Sequence, residues 1–418
     1  MMPVVKLTEA TARRLLAARR RQDRAAERVA ARIVADVRRR GDVALRAWTR
    51  RLDGVALQPD SIWVQPQELR AARRAVSREF LRALEHAARN IRRVAEQQKP
   101  RPWTLMVEAG VRVGQWVRPL DSVGCYVPGG RYSLVSTLLM TVIPAQVAGV
   151  KKILVVCPRS NMALLAAADR LGVRAVARVG GAQAIAALAY GTQTIPPVDK
   201  IVGPGNRYVT AAKRLVSADC AIDFLAGPTE LLILARSGTP RFLAADLLAQ
   251  AEHDPDAIAV LLTTSRRLAG AVERELARQL RALPRTNPAR RSLSRNGHIL
   301  VARNLEDAVR FANRFAPEHL SLPGAEPALL KRLHAAGSVF LGSWSAQPLG
   351  DYASGSNHVL PTGGWARARG GLSVGDFVKC LSVQRISRAG FRRLAPVAKV
   401  LARAENLAAH ARAVEVRE

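Results

Sequence analysis

Short β-rich runs alternate with helical segments from about residue 110 onward, and this alternation constrains the fold more than any other feature. The strand candidates are residues 111–117, 123–127, 153–157, 175–179, 201–202, 231–235, 258–263 and 299–302. Helical segments lie between them, at residues 163–171, 182–190, 207–216 and 242–251. Strands that alternate with helices favour parallel sheets joined by crossover helices. The sequence therefore predicts an α/β fold built on parallel sheets.

Both ends of the chain are predicted to be helical. Residues 8–40 carry apolar side chains at helical spacing and stop at Gly41, a common helix terminator. A second helix is predicted for residues 66–98, before Pro100 and Pro102, and another for residues 390–414. The 418 residues suffice for two or three domains at roughly 150 residues each.

The formal net charge of +32 admits two interpretations. A basic surface can neutralise the phosphates of a nucleic acid. Alternatively, arginine has accumulated on solvated surfaces that have no partner. The basic residues are spread along the whole chain, often beside acidic ones, and no aromatic-interleaved basic patch is present. The charge distribution therefore favours the second interpretation and argues against a nucleic-acid partner.

The sequence contains no signal for a membrane or for secretion. No apolar run reaches the roughly 18 residues that a spanning helix needs, and the segment 134–150 contains Pro144 and Gln146. No apolar core with a small-residue cleavage site accompanies the basic N-terminus. A cytoplasmic protein with reduced thiols is expected, since no metal or disulfide spacing fits the four cysteines, Cys125, Cys157, Cys220 and Cys380.

Glycine-containing turns occur at residues 129–130, 180–181 and 203–205. None of them completes the G-x-G-x-x-G pattern of dinucleotide-binding folds, because position 208 is tyrosine. The glycines by themselves are therefore only a weak indication of phosphate binding.

Four polar clusters contain histidines. In residues 250–256, Gln250 and His253 are three apart, so both lie on one face of the last helical turn, where they could bind a metal or cap the helix. In residues 315–320, Glu318 and His319 could transfer protons or form a surface ion pair. Neither spacing decides between its two interpretations.

The other two clusters lie nearer the C-terminus. Residues 350–363 contain Asp351 and His358 among glycines and prolines, a loop that is costly to order unless it has a function. Glu405 and His410 are five apart on a predicted helix and so not quite on one face. No cluster is decisive by itself.

Together, these four clusters resemble the histidinol dehydrogenase family. The match also includes residues 124–130, 179–185, 202–209 and 226–230, and it runs in the same order from about residue 25 to the end. The resemblance implies an α/β fold of two Rossmann-like domains with helical N- and C-terminal segments. It implies an N-terminal helical arm of residues 1–22, a discontinuous α/β domain of 23–125 and 230–372 that carries the metal and catalytic residues, an NAD-binding domain of 126–229, and a C-terminal helical dimerisation segment of 373–418.

The resemblance also implies the chemistry: zinc-dependent oxidation of L-histidinol to L-histidine through L-histidinaldehyde, with two NAD⁺, in histidine biosynthesis. The implied general base is His319, and Glu318 activates water. The implied zinc ligands are Gln250, His253, Asp351 and His410. The implied NAD contacts are Tyr126, Gln183 and Asn206. The implied substrate contacts are Thr229, Gln250, His253, His319, Asp351, Glu405 and His410.

The family is a homodimer with shared active sites, so Glu405 and His410 are expected to serve the other subunit. Gln347 stands where a glutamate is expected, and Thr229 replaces a more usual serine. Cys125 could attack an aldehyde as a thiolate, although a small residue in a turn is the better interpretation. The rival functions are a related dehydrogenase of the same fold acting on another diol or amino alcohol, and a basic nucleic-acid-binding protein.

Overall fold

The computed structural model describes residues 2–19, 23–129, 134–324 and 327–418. Residues 20–22 of the predicted helix 8–40 and Gly130 of a predicted glycine turn lie outside the described residues. The helices are α1 (Glu9–Arg19), α2 (Arg24–Arg40), α3 (Asp42–Asp53), α4 (Pro66–Ala75), α5 (Arg78–Gln98), α6 (Val135–Ala148), α7 (Met162–Arg170), α8 (Gly181–Tyr190), α9 (Arg207–Val216), α10 (Pro240–Glu252), α11 (Arg266–Ala282), α12 (Ala289–Asn296), α13 (Leu305–Phe315), α14 (Pro327–Leu330), α15 (Gln347–Tyr352), α16 (Arg388–Ala404) and α17 (Ala408–Glu415).

The strands form three sheets in the part of the chain that the structure describes. They are β1 (Val4–Lys6), β2 (Trp103–Glu108), β3 (Val111–Pro119), β4 (Ser122–Tyr126), β5 (Lys152–Val156), β6 (Ala175–Ala177), β7 (Lys200–Val202), β8 (Ala221–Ile222), β9 (Glu230–Ala235), β10 (Ile258–Thr263), β11 (Gly297–Val301), β12 (His319–Leu322), β13 (Ser338–Leu341) and β14 (Val378–Ile386).

The first parallel sheet has the order β6-β5-β4-β7-β8. The chain moves outward from β4 to β6 and then returns to the other side of β4, which is the strand order of a Rossmann fold. Apolar cores cover both faces, one including α2, α8 and α9 and the other including α5, α6 and α7. The predicted parallel sheet with crossover helices is confirmed here.

The second parallel sheet has the order β1-β11-β10-β9-β12-β13. Strands β9 to β13 repeat the Rossmann order, and β1 is added at the edge beside β11. Apolar cores again cover both faces, one including α10 and α11 and the other including α13. The predicted α/β fold with two Rossmann-like parallel sheets is thereby confirmed.

A third sheet, β14-β3-β2, is antiparallel and was not predicted. The sequence predicted β3 as a strand, but β2 and β14 were missed. The segment 373–418 was predicted to be helical. Instead, Val378–Ile386 form β14, and helices α16 and α17 begin only at Arg388. All the residues of β2 except its last are exposed in the single chain.

The N-terminal helices differ in detail from the predictions. The predicted helix 66–98 is two helices, because Val76 is extended and the Ser77 hydroxyl caps α5 by accepting from the Phe80 amide at 3.0 Å. Helices α2 to α5 pack against the five-stranded sheet. The resemblance had implied that they share a domain with residues 230–372. The division into domains stays a prediction. In the described ranges, none of the helices combines the length and apolar character that crossing a bilayer requires.

Candidate active site

The proton-transfer cluster lies at the amino edge of the six-stranded sheet. Strands β9 and β12 are parallel neighbours with His319 opposite Leu231, so Thr229 and Glu318, which precede them, come together. Helix α10 follows β9 and runs back antiparallel to it, which returns its last turn to the same edge. Gln250 in that turn donates from Nε2 to the Thr229 hydroxyl at 2.7 Å. Sheet topology therefore joins two clusters that are far apart in the sequence.

Glu318 and His319 are both buried and held by backbone groups of Glu230. Oε2 of Glu318 accepts from the Thr229 hydroxyl at 2.5 Å and from the Glu230 amide at 2.7 Å. Nδ1 of His319 lies 3.1 Å from the Glu230 carbonyl oxygen. A carbonyl can only accept, so Nδ1 carries the proton and the lone pair of the neutral ring is on Nε2. No protein atom in the described chain hydrogen-bonds to this Nε2.

Asp351 on α15 completes the group from a third segment. Its Oδ1 lies 3.7 Å from Nε2 of His319, and its Oδ2 lies 4.0 Å from Nε2 of His253. Gln347, one helical turn earlier, donates from Nε2 to Oδ2 of Asp351 at 3.1 Å. The amide that replaces the expected glutamate thus binds the aspartate without adding a second charge.

Burial and neighbouring charges set the protonation of these groups. Burial raises the pKa of Glu318 to about 7, against the opposing effects of His319 and Thr229. Burial lowers the pKa of His319, but the charges of Glu318 and Asp351 outweigh it and the net direction is upward. Burial also opposes ionisation of Asp351, yet the combined effects of His319, His358 and His253 outweigh it, and the pKa of Asp351 lies below its usual value.

The predicted metal ligands of one chain partly converge. The amide oxygen of Gln250 is fully buried and has no hydrogen-bond partner among the described residues, the environment of a group that can bind a ligand. Burial lowers the pKa of His253, which favours the neutral imidazole that a metal requires. Oxygen and imidazole donors suit zinc that keeps a position open for substrate. Gln250, His253 and Asp351 therefore fit such an ion.

These donors do not make a complete site. Across the described residues, no group of three or more His, Cys, Asp and Glu side chains is arranged to hold a metal. His410 lies on α17 and Glu405 at the end of α16, and both are exposed in the single chain. The structure does not bring either of them to Gln250, His253 or Asp351.

The predicted nucleotide residues lie at the carboxyl edge of the five-stranded sheet. Tyr126 ends β4 and Asn206 follows β7, so the two flank the point where the strand order reverses, the usual nucleotide crevice of such sheets. Gly203 has φ +114°, and a Cβ atom there would lie 2.1 Å from the Tyr126 carbonyl oxygen, so this approach requires glycine.

Each of these side chains already has a partner within the protein. The Tyr126 hydroxyl accepts from the Gly181 amide at 3.1 Å, and Gln183 donates to Asp53 at 3.1 Å. The Asn206 side chain caps α9 by accepting from the amides of residues 208 and 209. The Gln183 amide oxygen, however, is buried and has no hydrogen-bond partner within the ranges that the structure describes.

Three residues of the matched segments and clusters, Cys125, His358 and Glu230, are not among the implied site residues. Cys125 lies within β4 and not in the turn that was expected for it. It is fully buried, and burial raises the pKa of its thiol to about 12, which disfavours the thiolate that a nucleophile requires. His358, from the third cluster, lies with Nδ1 2.9 Å from the Asp351 carbonyl oxygen and so supports that segment. Glu230 ends the matched segment 226–230, and the resemblance implies no role for it. Its backbone amide and carbonyl hold Glu318 and His319, and residue spacing cannot indicate such contacts.

Comparison with known proteins places the chain in a family. Residues 16–418 match a family model described as "Histidinol dehydrogenase". The chain is 50% identical over 392 residues to a histidinol dehydrogenase of Geobacillus kaustophilus, covering 92% of each chain. It is 47% identical over 386 residues to one from Methanothermobacter thermautotrophicus, covering 91% of this chain and 90% of that one. A crystal structure of histidinol dehydrogenase from Elizabethkingia anophelis is similar with a TM-score of 0.92 at 37% identity, covering 100% of this chain and 98% of that one.

Proposed function

The chain belongs to the histidinol dehydrogenase family, and from this premise we propose that it oxidises L-histidinol to L-histidine through L-histidinaldehyde, with zinc bound and two NAD⁺ reduced. The observation that carries the proposal is the approach of His319 and His253 to the two oxygens of Asp351, at 3.7 and 4.0 Å. It joins the proton-transfer pair to the predicted metal ligands in one place.

The metal ligands of the proposal are Gln250, His253 and Asp351 of one subunit and His410 of the partner subunit. Zinc, when bound, supplies a Lewis acid that orients the amino alcohol and polarises its oxygen. The unpartnered amide oxygen of Gln250 supports its part in this set. Substrate contacts are assigned to Thr229, His319 and the same ligand side chains, and to Glu405 of the partner subunit.

His319 is the proposed general base for the first oxidation. The Glu230 carbonyl holds the proton on Nδ1, so Nε2 can accept the hydroxyl proton of the alcohol. NAD⁺, when bound, would accept the hydride of the carbinol carbon, which completes the oxidation to the aldehyde. Nε2 is buried and has no hydrogen-bond partner in the described part of the chain, so the neutral ring can direct its lone pair at that proton.

Glu318 is the proposed base for the water that hydrates the aldehyde. One oxygen of its carboxylate, Oε2, accepts hydrogen bonds from both the Thr229 hydroxyl and the Glu230 amide. A pKa near 7 lets the group both take a proton from water and return it at neutral pH. His319 would again take a hydroxyl proton, here from the hydrated aldehyde, while a second NAD⁺, when bound, would accept the hydride, so that the carboxylic acid remains.

The nucleotide is assigned to the carboxyl edge of the five-stranded sheet, with Tyr126, Gln183 and Asn206 as its contacts. The switch in strand order between β4 and β7 supports this position. The buried, unpartnered amide oxygen of Gln183 supports a role for that side chain.

A homodimer with shared sites completes the proposal. Exposed apolar side chains cover β2 and α16, where Leu105, Met106, Val400 and Leu401 are 53–65% exposed. Large apolar side chains exposed in this way are typical of a protein interface. Helix α16 leads directly to Glu405 and His410. In a dimer formed through this surface, both residues could enter the active site of the partner subunit.

The deciding experiment measures NADH formed from L-histidinol by the purified enzyme, with and without a chelator. We expect two NADH for each histidinol, loss of turnover with the chelator, and recovery on adding zinc. A parallel assay with simple diols tests the related-dehydrogenase alternative. Absence of turnover of histidinol in the zinc-loaded enzyme would contradict the proposal.

A further inference from the structure

We infer that Arg19 and Glu230 are positioning residues for the proton-transfer pair, an inference that rests on the function proposed above. Glu230 is the first residue of β9, and its backbone binds both proposed catalytic side chains. Arg19, the last residue of α1, binds the carboxylate of Glu230. The N-terminal helix therefore reaches the catalytic pair through a single intermediate residue.

The backbone of Glu230 determines how both catalytic groups are held. Its amide donates to Oε2 of Glu318 at 2.7 Å, and its carbonyl oxygen accepts from Nδ1 of His319 at 3.1 Å. The first contact orients the carboxylate, and the second selects the tautomer with the lone pair on Nε2. A shift of this one peptide would disturb both groups at once.

The side chain of Glu230 anchors that peptide in a buried network. Arg19 donates from Nε to Oε1 at 2.8 Å and from a terminal nitrogen to Oε2, a bidentate contact. The Gly363 amide also donates to Oε1, at 3.1 Å. Side-chain exposure is 4% for Arg19 and 2% for Glu230, so solvent does not compete for these contacts.

Arg19 is itself held from two sides. It donates to the carbonyl oxygen of Phe315, and its guanidinium lies 3.6 Å from the centre of the Phe315 ring. Phe315 ends α13, three residues before Glu318. Arg19 thus connects the segment that leads into β12 with the first residue of β9, the two strands that carry the proton-transfer pair.

Lysine cannot fully replace the guanidinium of Arg19, because its ammonium is a point charge and lacks the two parallel N–H donors. Removal of Arg19 leaves a buried carboxylate unpaired, and the start of β9 must relax to solvate it. The effect on catalysis should appear mainly in kcat, since neither Arg19 nor Glu230 is among the assigned substrate contacts.

The test compares Arg19→Leu and Arg19→Lys with Arg13→Leu, a control on the same helix whose exposed side chain pairs with Glu9. We expect kcat for histidinol to fall by about tenfold or more in Arg19→Leu, with KM within about threefold and a partial recovery in Arg19→Lys. Wild type and Arg13→Leu should turn over histidinol normally.

A second readout does not depend on turnover. The chain has seven histidines, so ¹⁵N-labelled histidine gives few imidazole signals. We expect the Nδ1–H signal of His319, assigned by its absence in His319→Asn, to shift or exchange faster in Arg19→Leu and to stay unchanged in Arg13→Leu. Should Arg19→Leu fail to fold, the double variant Arg19→Met/Glu230→Gln, which has no unpaired buried charge, is assayed in the same way.

Wild-type kcat together with an unchanged His319 signal in the folded Arg19 variant would overturn the inference and leave the proposed function intact. A fall in kcat with an unchanged signal would also overturn it, because Arg19 would then act by another route. An inactive wild type and an inactive Arg13→Leu would instead contradict the proposed function.

Discussion

The hydroxyl of Thr229 links two predicted roles: it donates to Oε2 of Glu318 at 2.5 Å and accepts from the amide of Gln250 at 2.7 Å. Thr229, which directly precedes β9, therefore orients both Glu318, the proposed base for water, and Gln250, a proposed metal ligand. The accepted bond leaves the amide oxygen of Gln250 free to face the site.

Replacement of this hydroxyl tests that link. Thr229→Val keeps the shape but leaves Gln250 and Glu318 each without one partner, so we expect kcat/KM for histidinol to fall about tenfold or more. Thr229→Ser keeps the hydroxyl and should retain most of the activity. Steady-state kinetics of both variants decide the matter; equal activity of Thr229→Val and wild type would contradict this role.

Metal retention should depend on His253. His253→Ala removes one of three proposed donors of a single chain, so we expect zinc content after dialysis to fall well below that of wild type. Since the His253 side chain is 41% exposed, little packing is lost and the thermal unfolding midpoint of the metal-free form should barely change. His334→Ala, at an exposed histidine elsewhere, serves as the control. A fully metallated His253→Ala variant would remove His253 from the ligand set.

Shared active sites predict complementation between two inactive variants. His253→Ala and His410→Ala are each expected to be inactive as homodimers. A heterodimer of the two, co-expressed with different tags, contains one intact site, so it should have about half the activity of wild type. A differently tagged pair of His253→Ala chains is the negative control. If the mixed dimer is also inactive, His410 does not act in the other subunit.

The exposed apolar surface of α16 should mediate assembly. Val400 is 65% exposed in the single chain, so Val400→Glu costs little in the fold of one subunit but places a charge in the proposed interface. We expect sedimentation velocity to show a shift toward monomer and the activity to fall with it. Arg385→Glu on β14, also at an exposed position, controls for the added charge. An unchanged dimer in Val400→Glu would exclude this part of α16 from the interface.

Asp246 on α10 predicts a pH dependence of stability. Burial raises its pKa from 3.8 to about 6, so the folded state binds a proton more tightly than the unfolded state. The stability associated with the protonated carboxyl is present below pH 4 and is lost as the pH rises to about 6. Asp246→Asn should therefore be more stable than wild type by about 1–2 kcal/mol at pH 7.5 and similar to it at pH 4. Denaturant unfolding at both pH values measures the difference; equal stability at pH 7.5 would contradict it.

Much of the fold followed from local pattern. The alternation of strands and helices from residue 110 predicted the parallel sheets, because buried parallel strands are continuous apolar runs that local sequence displays. The pattern missed β1, which is only three residues long, and β12, which lies inside the polar cluster around Glu318 and His319. Strands β2 and β14 were also missed. Nearly all of their residues are exposed in the single chain, so neither strand has the buried apolar side chains from which a strand is predicted.

The polar clusters themselves were visible in the sequence, and so was the resemblance that assigned them roles. Their spacing could not show that Gln250, Glu318 and Asp351 meet, because that depends on neighbouring strands beginning at one edge and on α10 returning to it. Only the tertiary structure revealed Glu230 and Arg19, whose contacts run through a peptide group and a buried ion pair between distant segments. Local sequence determines which groups a segment offers, whereas long-range packing decides which of them share one desolvated site.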